Sequence, residues 1–268
     1  MPQKLELLSR DVARQVVELA ERAGEAIMEI YETADFETQY KEDESPLTAA
    51  DLAAHRVLVE GLQKLTPDVP VLSEESKGIS YEERRDWGDF WLVDPLDGTK
   101  EFIKRNGEFT VNVALIRRDE PVMGVVHAPA LETSYYAVKE LGAFKRTADG
   151  EESIETSREV QPPLTVVVSR SHLRERDEQF IEQLRARYDE VELSPTGSAL
   201  KLCLVAEGTA DVYPRFGPTM EWDIGAAQCV VEQAGGVVLT EEGEPLRYNK
   251  KQLVNPFFIA RTPAVELP

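Results

Sequence analysis

The chain is organised around residues 90–99, whose sequence is FWLVDPLDGT. The four bulky apolar residues at its start predict a strand that enters the protein core. This strand ends at two carboxylates, Asp94 and Asp97, which Gly98 and Thr99 follow directly. Two acids at the end of a buried strand lose hydration and repel each other, and a divalent cation with oxygen ligands offsets both costs. A bare Asp-Gly pair predicts only a turn, so the rest of the chain has to decide between the two interpretations.

Composition limits the classes of partner. The chain has 268 residues, enough for one large domain or two closely packed halves, and its 42% hydrophobic content is ordinary for a globular protein. Fifty acidic and thirty basic residues give a formal net charge of -20. This charge disfavours nucleic-acid polymers and anionic membranes as partners. A small anion remains possible, because a bound cation can invert the local field.

The N-terminal residues lack a basic region followed by an apolar core, and no apolar run approaches the roughly 18 residues of a membrane span. We therefore expect a cytoplasmic protein without stable membrane insertion, and either a monomer or a homodimer. Cys203 and Cys229 lie in apolar, helix-like stretches without the spacing of metal ligands, which predicts buried free thiols. A salt-rich cytoplasm is one open explanation for the acidity.

Apolar residues at steps of three and four predict a long amphipathic helix over the first thirty residues. The same spacing predicts a second helix that ends near residue 65, with Thr48 as its cap and Asp51 in its first turn. Capping alone would explain both residues. A short strand at 70–72 then leads into Glu74. This is a second place where an apolar run ends at an acid.

The remaining pattern predicts two halves, residues 1–155 and 156–268, joined near a passage rich in glycine and charge at 147–163. In the first half, strands separated by polar turns predict an antiparallel meander. These strands are predicted at 90–94, 109–116, 121–126 and 133–138. The second half is predicted to hold strands at 164–168, 191–193, 211–214 and 237–239, and helices at 174–188, about 200–206 and 221–233.

Five acidic residues border apolar segments, and each has an adequate explanation as a cap or turn when it is taken alone. Together they fit a shared oxygen-ligand site for Mg2+, which binds few carboxylates and keeps waters for a substrate phosphate. The chain has three histidines, none of them spaced as a ligand pair, and this disfavours zinc. The five acids are Asp51, Glu74, Asp94, Asp97 and Asp223.

Four motifs follow one another in order over nearly the whole chain, and their arrangement resembles the inositol monophosphatase superfamily of metal-dependent, lithium-sensitive phosphatases. The motifs are SPLTAAD at 45–51, SEE at 73–75, DPLDGT at 94–99 and EWD at 221–223. The resemblance implies an α/β (α+β) fold, a layered αβαβα sandwich of the inositol monophosphatase or sugar phosphatase type. Within the superfamily, four further stretches look like those of the 3'(2'),5'-bisphosphate nucleotidases. These stretches are residues 100–103, 169–172, 197–201 and 213–219.

The resemblance implies a metal-binding role for five residues. Asp94 would bridge two metals, with Glu74 and the Leu96 carbonyl completing one site. Asp97 and Asp223 would complete the other site. A third, weaker metal would lie beside Glu74, so two to three Mg2+ ions are expected in each active site.

The resemblance also implies the catalytic residues. Thr99, hydrogen-bonded to Asp51, would position and deprotonate the attacking water, which its metals make more acidic. With Glu74, these two residues are the expected catalytic group. The backbone amides around Gly98 and Thr99 would hold the scissile phosphate.

Substrate recognition is expected at four residues. Ser198, Lys201 and Arg215 would contact a second phosphate and the ribose, and His172 would stack on adenine. An inositol phosphatase is expected to carry an acid near the position of Arg215, whereas the planar guanidinium fork suits a phosphate. The alternative interpretation of Lys201 is a solvated lysine on a helix. The alternative for His172 is an ordinary surface histidine. Ala199 departs from the serine that nucleotidases often carry there.

The preferred function is Mg2+-dependent hydrolysis of the 3'-phosphate of 3'-phosphoadenosine 5'-phosphate to AMP and phosphate. An inositol monophosphatase or a broad-specificity sugar phosphatase is the alternative among enzymes. A non-catalytic metal or nucleotide sensor that keeps the fold is the alternative of another class. The full set of acids together with Thr99 argues against the sensor.

Overall fold

Five layers, in the order α, β, α, β, α, make up the computed structural model, which describes residues 7–33, 46–76, 78–170 and 173–268. This arrangement confirms the predicted fold class. The α-helices of the described residues are α1 (Arg10–Thr33), α2 (Pro46–Leu65), α3 (Tyr81–Arg84), α4 (Thr99–Ile103), α5 (Glu175–Arg187), α6 (Leu200–Ala206) and α7 (Glu221–Gln233). The strands are β1 (Val71–Ser73), β2 (Asp89–Asp97), β3 (Thr110–Arg117), β4 (Glu120–Ala128), β5 (Thr133–Val138), β6 (Gly142–Thr147), β7 (Gly150–Ile154), β8 (Leu164–Ser169), β9 (Val191–Thr196), β10 (Val212–Arg215), β11 (Val237–Thr240) and β12 (Phe258–Arg261).

Helices α1 and α2 form the first layer and cover one face of the larger sheet. The long amphipathic helix is confirmed, since Val16 and Ile27 on the apolar stripe of α1 are fully buried, but it begins at Arg10 and not at the first residues, of which 1–6 lie outside the described ranges. The predicted start of the second helix was wrong. Helix α2 begins at Pro46, so Thr48 lies inside its first turn and Asp51 lies beyond that turn. Proline is favoured at a first helical position because its fixed φ suits the helix and its missing N–H needs no partner there.

The larger sheet has seven strands in the order β1-β2-β3-β4-β5-β6-β7. Strands β2 to β5 form the predicted antiparallel meander, and β1 joins its edge in parallel to β2. Strands β6 and β7 extend the meander and were not predicted, since β7 lies in the passage interpreted as a junction. The pairing of β2 with β3 is irregular between Asp94, opposite Asn112, and Asp97, opposite Thr110. Pro95 lies in this irregular stretch and has no N–H to donate, which explains the break in the ladder.

The middle layer consists of α6 and α7, which lie between the two sheets and share one hydrophobic core with both. Helix α7 packs very close to β4. A Cβ atom added to Gly124 would lie only 2.1 Å from the Ala226 carbonyl oxygen, which leaves no room for a side chain there. Both predicted free thiols, Cys203 and Cys229, are confirmed as buried in this core. The boundary predicted between residues 155 and 156 falls just after β7, and the division into two halves stays a prediction.

The smaller sheet has five strands in the order β11-β12-β10-β8-β9, with β8 parallel to both of its neighbours. Helix α5 packs on its outer face through Phe180, Ile181 and Leu184, and forms the last layer. None of the helices described here is long and apolar enough to cross a membrane. The ends of β2 and β8 and the start of α7 face one cleft between the sheets.

Candidate active site

Glu74 and Asp94 lie side by side because β1 and β2 are parallel neighbours. Ser73 pairs with Val93, and the Glu74 backbone N–H donates to the Val93 carbonyl over 3.0 Å. Asp94 is only 1% exposed, and its Oδ1 accepts a hydrogen bond from the Leu96 N–H at 3.1 Å. The two apolar runs that end at acids therefore deliver their carboxylates to one edge of the sheet.

Gly98 makes the turn between Asp97 and Thr99. Its φ of 99° is left-handed, and an added Cβ would lie 3.1 Å from the Phe109 Cα. Glycine is favoured there because a side chain would be both strained and crowded. The turn places Thr99 at the start of α4, while Asp97 accepts a hydrogen bond from the Ala199 N–H.

Asp223 enters from the middle layer, in the first turn of α7. Its Oδ2 accepts the Met220 N–H at 2.9 Å, so the predicted helix start at residues 221–223 is confirmed. Asp51 lies on α2, and its Oδ1 is buried without a hydrogen-bond partner in the described part of the chain. The predicted bond from Thr99 to Asp51 is not formed here, and this role of the pair stays a prediction.

Burial is the largest cause of an upward pKa shift at each of the five acids, and charge repulsion from neighbouring carboxylates adds to it. For Asp223 these effects raise the pKa to about 7, with Asp97 as the strongest charged neighbour. For Asp51 they raise the pKa to about 8, with Glu75 as the strongest charged neighbour. The pKa is also raised at Glu74, Asp94 and Asp97. The cluster thus concentrates negative charge that needs a cation at neutral pH.

The donor chemistry of this cluster suits a hard divalent cation. All of its side-chain donors are carboxylate oxygens, and the buried Asp51 Oδ1 has no other partner within the described residues. As their side chains stand, no three His, Cys, Asp or Glu residues of the described ranges form a complete coordination shell. The carboxylates would have to turn toward a bound ion. Mg2+ needs only one or two carboxylates beside carbonyl, water and phosphate oxygens, so the residues fit this ion.

Lys201 and Arg215 form the basic end of the cleft, and Lys201 is the charged group that acts most strongly on Asp97. Lys201 is 7% exposed and donates to the Ser198 carbonyl oxygen at 2.6 Å. Burial lowers its pKa to about 8, although the charge of Asp97 acts against this shift. Arg215 donates to the Pro218 carbonyl at 3.2 Å, while its Nε is buried without a partner among the residues described.

Ser198 combines a strained backbone with an unpaired hydroxyl. Its φ is 44°, in the left-handed region that side chains rarely adopt. Its Oγ is buried and has no hydrogen-bond partner within the described ranges. Strain and unpaired polar atoms concentrate at functional sites, so both features favour a ligand contact.

The cleft has a volume of about 330 Å³ and brings together six of the predicted site residues. The predicted residues that do not line the cleft are Asp51, Glu74, Asp94, Leu96 and Thr99. His172 lies outside the described residues. The predicted residues that line the cleft are Asp97, Gly98, Ser198, Lys201, Arg215 and Asp223.

The sequence interpretation gave no role to several other residues that line the cleft, including Glu101, Arg174 and Tyr213. Arg174 donates to the Phe216 carbonyl at 3.2 Å and lies directly against Gly217. Tyr213 stands in the same short stretch as Arg215, and this closeness in sequence was the signal that could have placed Tyr213 in the cleft. Arg174 stands forty-one residues before Arg215, and sequence position alone does not indicate that the two share a cleft.

The layered fold, with carboxylates and cations lining one cleft, is typical of a metal-dependent phosphatase. The inositol monophosphatase family model matches residues 9–260, and the chain belongs to this family, whose members depend on a metal. The chain is 50% identical over 246 residues to the 3'(2'),5'-bisphosphate nucleotidase CysQ of Salmonella typhimurium, with 91% of this chain and 97% of the relative covered.

Two solved structures support the same assignment. CysQ from Bacteroides thetaiotaomicron superimposes with a TM-score of 0.89 at 44% identity, covering 97% of this chain and 100% of that one. An inositol monophosphatase from Zymomonas mobilis superimposes with a TM-score of 0.75 at 25% identity, covering 96% and 94%. The family resemblance stated from the motifs is therefore confirmed.

Proposed function

We propose that this protein is a Mg2+-dependent 3'(2'),5'-bisphosphate nucleotidase that converts 3'-phosphoadenosine 5'-phosphate to AMP and phosphate. The observation that carries the proposal is that acidic and basic side chains line one cleft. The acidic end suits metal and a scissile phosphate, and the buried Lys201 and the half-buried Arg215 suit a second phosphate. Buried cations without full hydrogen bonding are stabilised by an anionic ligand.

At the acidic end, two to three Mg2+ ions would be held by Glu74, Asp94, the Leu96 carbonyl, Asp97 and Asp223. Bound there, Mg2+ would neutralise charge on the phosphoryl oxygens and make the attacking water more acidic. Asp94 is suited to the bridging position because it lies between Glu74 on one side and Asp97 on the other.

Thr99 and Asp51 would orient the attacking water and accept its proton. The free Oδ1 of Asp51 is a hydrogen-bond acceptor without a partner within the described ranges, and Thr99 begins α4 directly after the turn at Gly98. The amides of Gly98 and Thr99 would hold the scissile phosphate. Such positioning contributes most of the catalysis when little covalent chemistry is required of the protein.

Recognition of the second phosphate and the ribose would use Ser198, Lys201 and Arg215. Each offers a buried donor, and two of these, Ser198 Oγ and Arg215 Nε, have no other partner in the described part of the chain. We retain stacking of His172 on adenine as a prediction.

A phosphate-release panel tests the proposal directly. With Mg2+, the bisphosphate nucleotide is expected to show at least about ten times the kcat/KM of inositol 1-phosphate or fructose 1,6-bisphosphate, since one charged contact contributes about tenfold. A preference for inositol 1-phosphate would overturn the nucleotidase assignment. Absence of phosphate release from every substrate would favour a non-catalytic sensor. Chelation with EDTA is the matched control and should stop release.

We also propose that residues 1–155 supply most metal ligands and residues 156–268 most recognition residues, in a cytoplasmic protein that is a monomer or homodimer. Light scattering coupled to gel filtration decides between one copy and two.

A further inference from the structure

An ion pair joins the two sheets beside the cleft. The Arg170 guanidinium donates to Glu108 twice, from Nε to Oε2 at 2.8 Å and from Nη2 to Oε1 at 2.5 Å. Glu108 precedes β3 of the larger sheet, whereas Arg170 directly follows β8 of the smaller sheet. The pair therefore bridges the two sheets beside the cleft.

Glu108 also binds the backbone of the recognition segment. Its Oε2 accepts the Gly197 N–H at 2.8 Å, one residue before Ser198. A Cβ atom added to Gly197 would lie 2.8 Å from the Glu108 carbonyl oxygen, so the two backbones are in close contact. Arg170 reinforces this segment through a hydrogen bond from Nη2 to the Pro195 carbonyl at 2.7 Å.

The backbone of Glu108 lies against the turn at the other end of the cleft. A Cβ atom added to Gly98 would lie 3.2 Å from the Glu108 carbonyl oxygen and 3.1 Å from the Phe109 Cα. Glu108 is thus in contact with the predicted phosphate-binding turn through its main chain and with the segment before Ser198 through its side chain.

We propose that Glu108 and Arg170, bound to Gly197, form a clamp that sets the distance between the acidic and basic ends of the cleft. The clamp positions Ser198 and Lys201 for a second phosphate on the substrate, so it favours bisphosphates over monophosphates. This inference rests on the proposed function. Neither residue touches the reacting atoms, and both act as positioning residues.

A stabilising role alone does not account for the arrangement. The side chains of Arg170 and Glu108 are 43% and 19% exposed, and exposed ion pairs contribute little to stability. The pair makes a planar double contact, and the backbone N–H of Gly197, which shares the same carboxylate, links it to the recognition segment. Such fork contacts fix geometry as well as charge.

A second ion pair provides a matched control. Arg117 and Asp89 form the same double contact at 2.9 and 3.0 Å, with side-chain exposures of 42% and 26%. This pair joins the start of β2 to the end of β3, at the opposite end of β2 from Asp97. Asp89→Asn therefore removes an equivalent interaction without touching the cleft.

The experiment compares 3'-phosphoadenosine 5'-phosphate with adenosine 3'-phosphate, which lacks only the second phosphate. Glu108→Gln is expected to raise KM for the bisphosphate about tenfold, the effect of one charge-assisted contact, with kcat changed less than twofold. KM for the monophosphate should change less than twofold. Arg170→Lys keeps the charge without the fork and should give an intermediate effect. Asp89→Asn should leave both substrates unchanged.

Hydrogen exchange gives a readout that does not need turnover. Amides of residues 197–201 should exchange faster in Glu108→Gln than in Asp89→Asn or the wild type. Unchanged KM and exchange would overturn the clamp. The clamp would also be overturned if KM rose equally for both substrates and the melting temperature fell. If the wild type does not prefer the bisphosphate, the proposed function fails, and exchange at 197–201 alone then decides whether the clamp holds this segment.

Discussion

The two ends of the cleft are built in opposite ways. The acidic end draws carboxylates from β2, from the end of β1, and from α2 and α7, so four separate elements contribute to it. The basic end depends on Lys201 and Arg215 together with the strained Ser198. Without a cation the ionised acidic end lowers stability, because burial and repulsion both disfavour its charged form and raise its pKa values. The comparison shows that the chemistry depends on carboxylates gathered from four elements, whereas selectivity depends on a few positions.

The largest effect is expected from Asp97→Asn, at the acidic end. Turnover should fall by at least about a thousandfold, because one charged ligand is lost where transition-state charge is stabilised. The fold should be retained, and the metal-free protein should melt at a slightly higher temperature, since the pKa of Asp97 is raised by burial. Steady-state kinetics and thermal melts check this. Near-normal turnover would contradict the two-metal assignment. The control is Asp86→Asn, a substitution of the same kind at an exposed position.

A smaller and selective effect is expected at the basic end from Arg215→Ala. KM for the bisphosphate should rise about 10 to 100 times, the effect of one or two charge-assisted hydrogen bonds, while adenosine 3'-phosphate changes little. Arg215→Lys should recover only part of the loss, because an ammonium cannot replace the planar fork. Equal losses on both nucleotides would place Arg215 in the chemistry instead of in selectivity.

The carboxylates of the acidic end should make the stability of the metal-free protein depend on pH. The pKa values of about 7 for Asp223 and about 8 for Asp51 lie above those of unfolded carboxyls. Folding therefore takes up protons between about pH 4 and pH 8, and the metal-free protein loses stability as pH rises through this range. Melting temperatures measured in EDTA should fall accordingly, and Mg2+ should raise them by about 3 °C or more at pH 8. A pH-independent melting temperature in EDTA would contradict the clustering of these acids.

The smallest effect is expected far from both ends, at Glu151. Its carboxylate binds Arg14 and Arg10, each at 2.7 Å, and the hydrogen bond from Arg14 holds its pKa at about 2. Because the folded pKa is depressed, this stabilisation is present above about pH 4.5 and is lost as pH falls toward about 2. Glu151→Gln should lower the melting temperature by about 2 °C at pH 7 and leave kcat and KM unchanged. Altered kinetics would show that the fold transmits effects from this edge to the cleft.

Local pattern was sufficient wherever a residue's neighbours in sequence are also its neighbours in space. The meander from β2 to β5 followed from apolar runs separated by polar turns. The start of α2 was mispredicted because Thr48 and Pro46 are both acceptable near a helix start, and only the packed helix shows which one is used.

The contacts that sequence reasoning missed are long-range. Glu108 and Arg170 are separated by 62 positions, and each resembles any other charged residue of a chain that has eighty of them. Lys201 could equally have been a solvated helix lysine, and its near-complete burial follows only from packing of α6 between the sheets.

The sequence by itself identified the five acids, because apolar segments end or begin at them, and its four motifs indicated the family, whose resemblance implied the layered fold. Only the tertiary structure decided which donors are left without partners, and how far burial shifts each pKa. The physical reason is that desolvation and hydrogen-bond satisfaction depend on every atom packed around a group. Residues 94–99 therefore carry the chemistry in their own spacing, whereas the basic end acquires its character from the two sheets that enclose it.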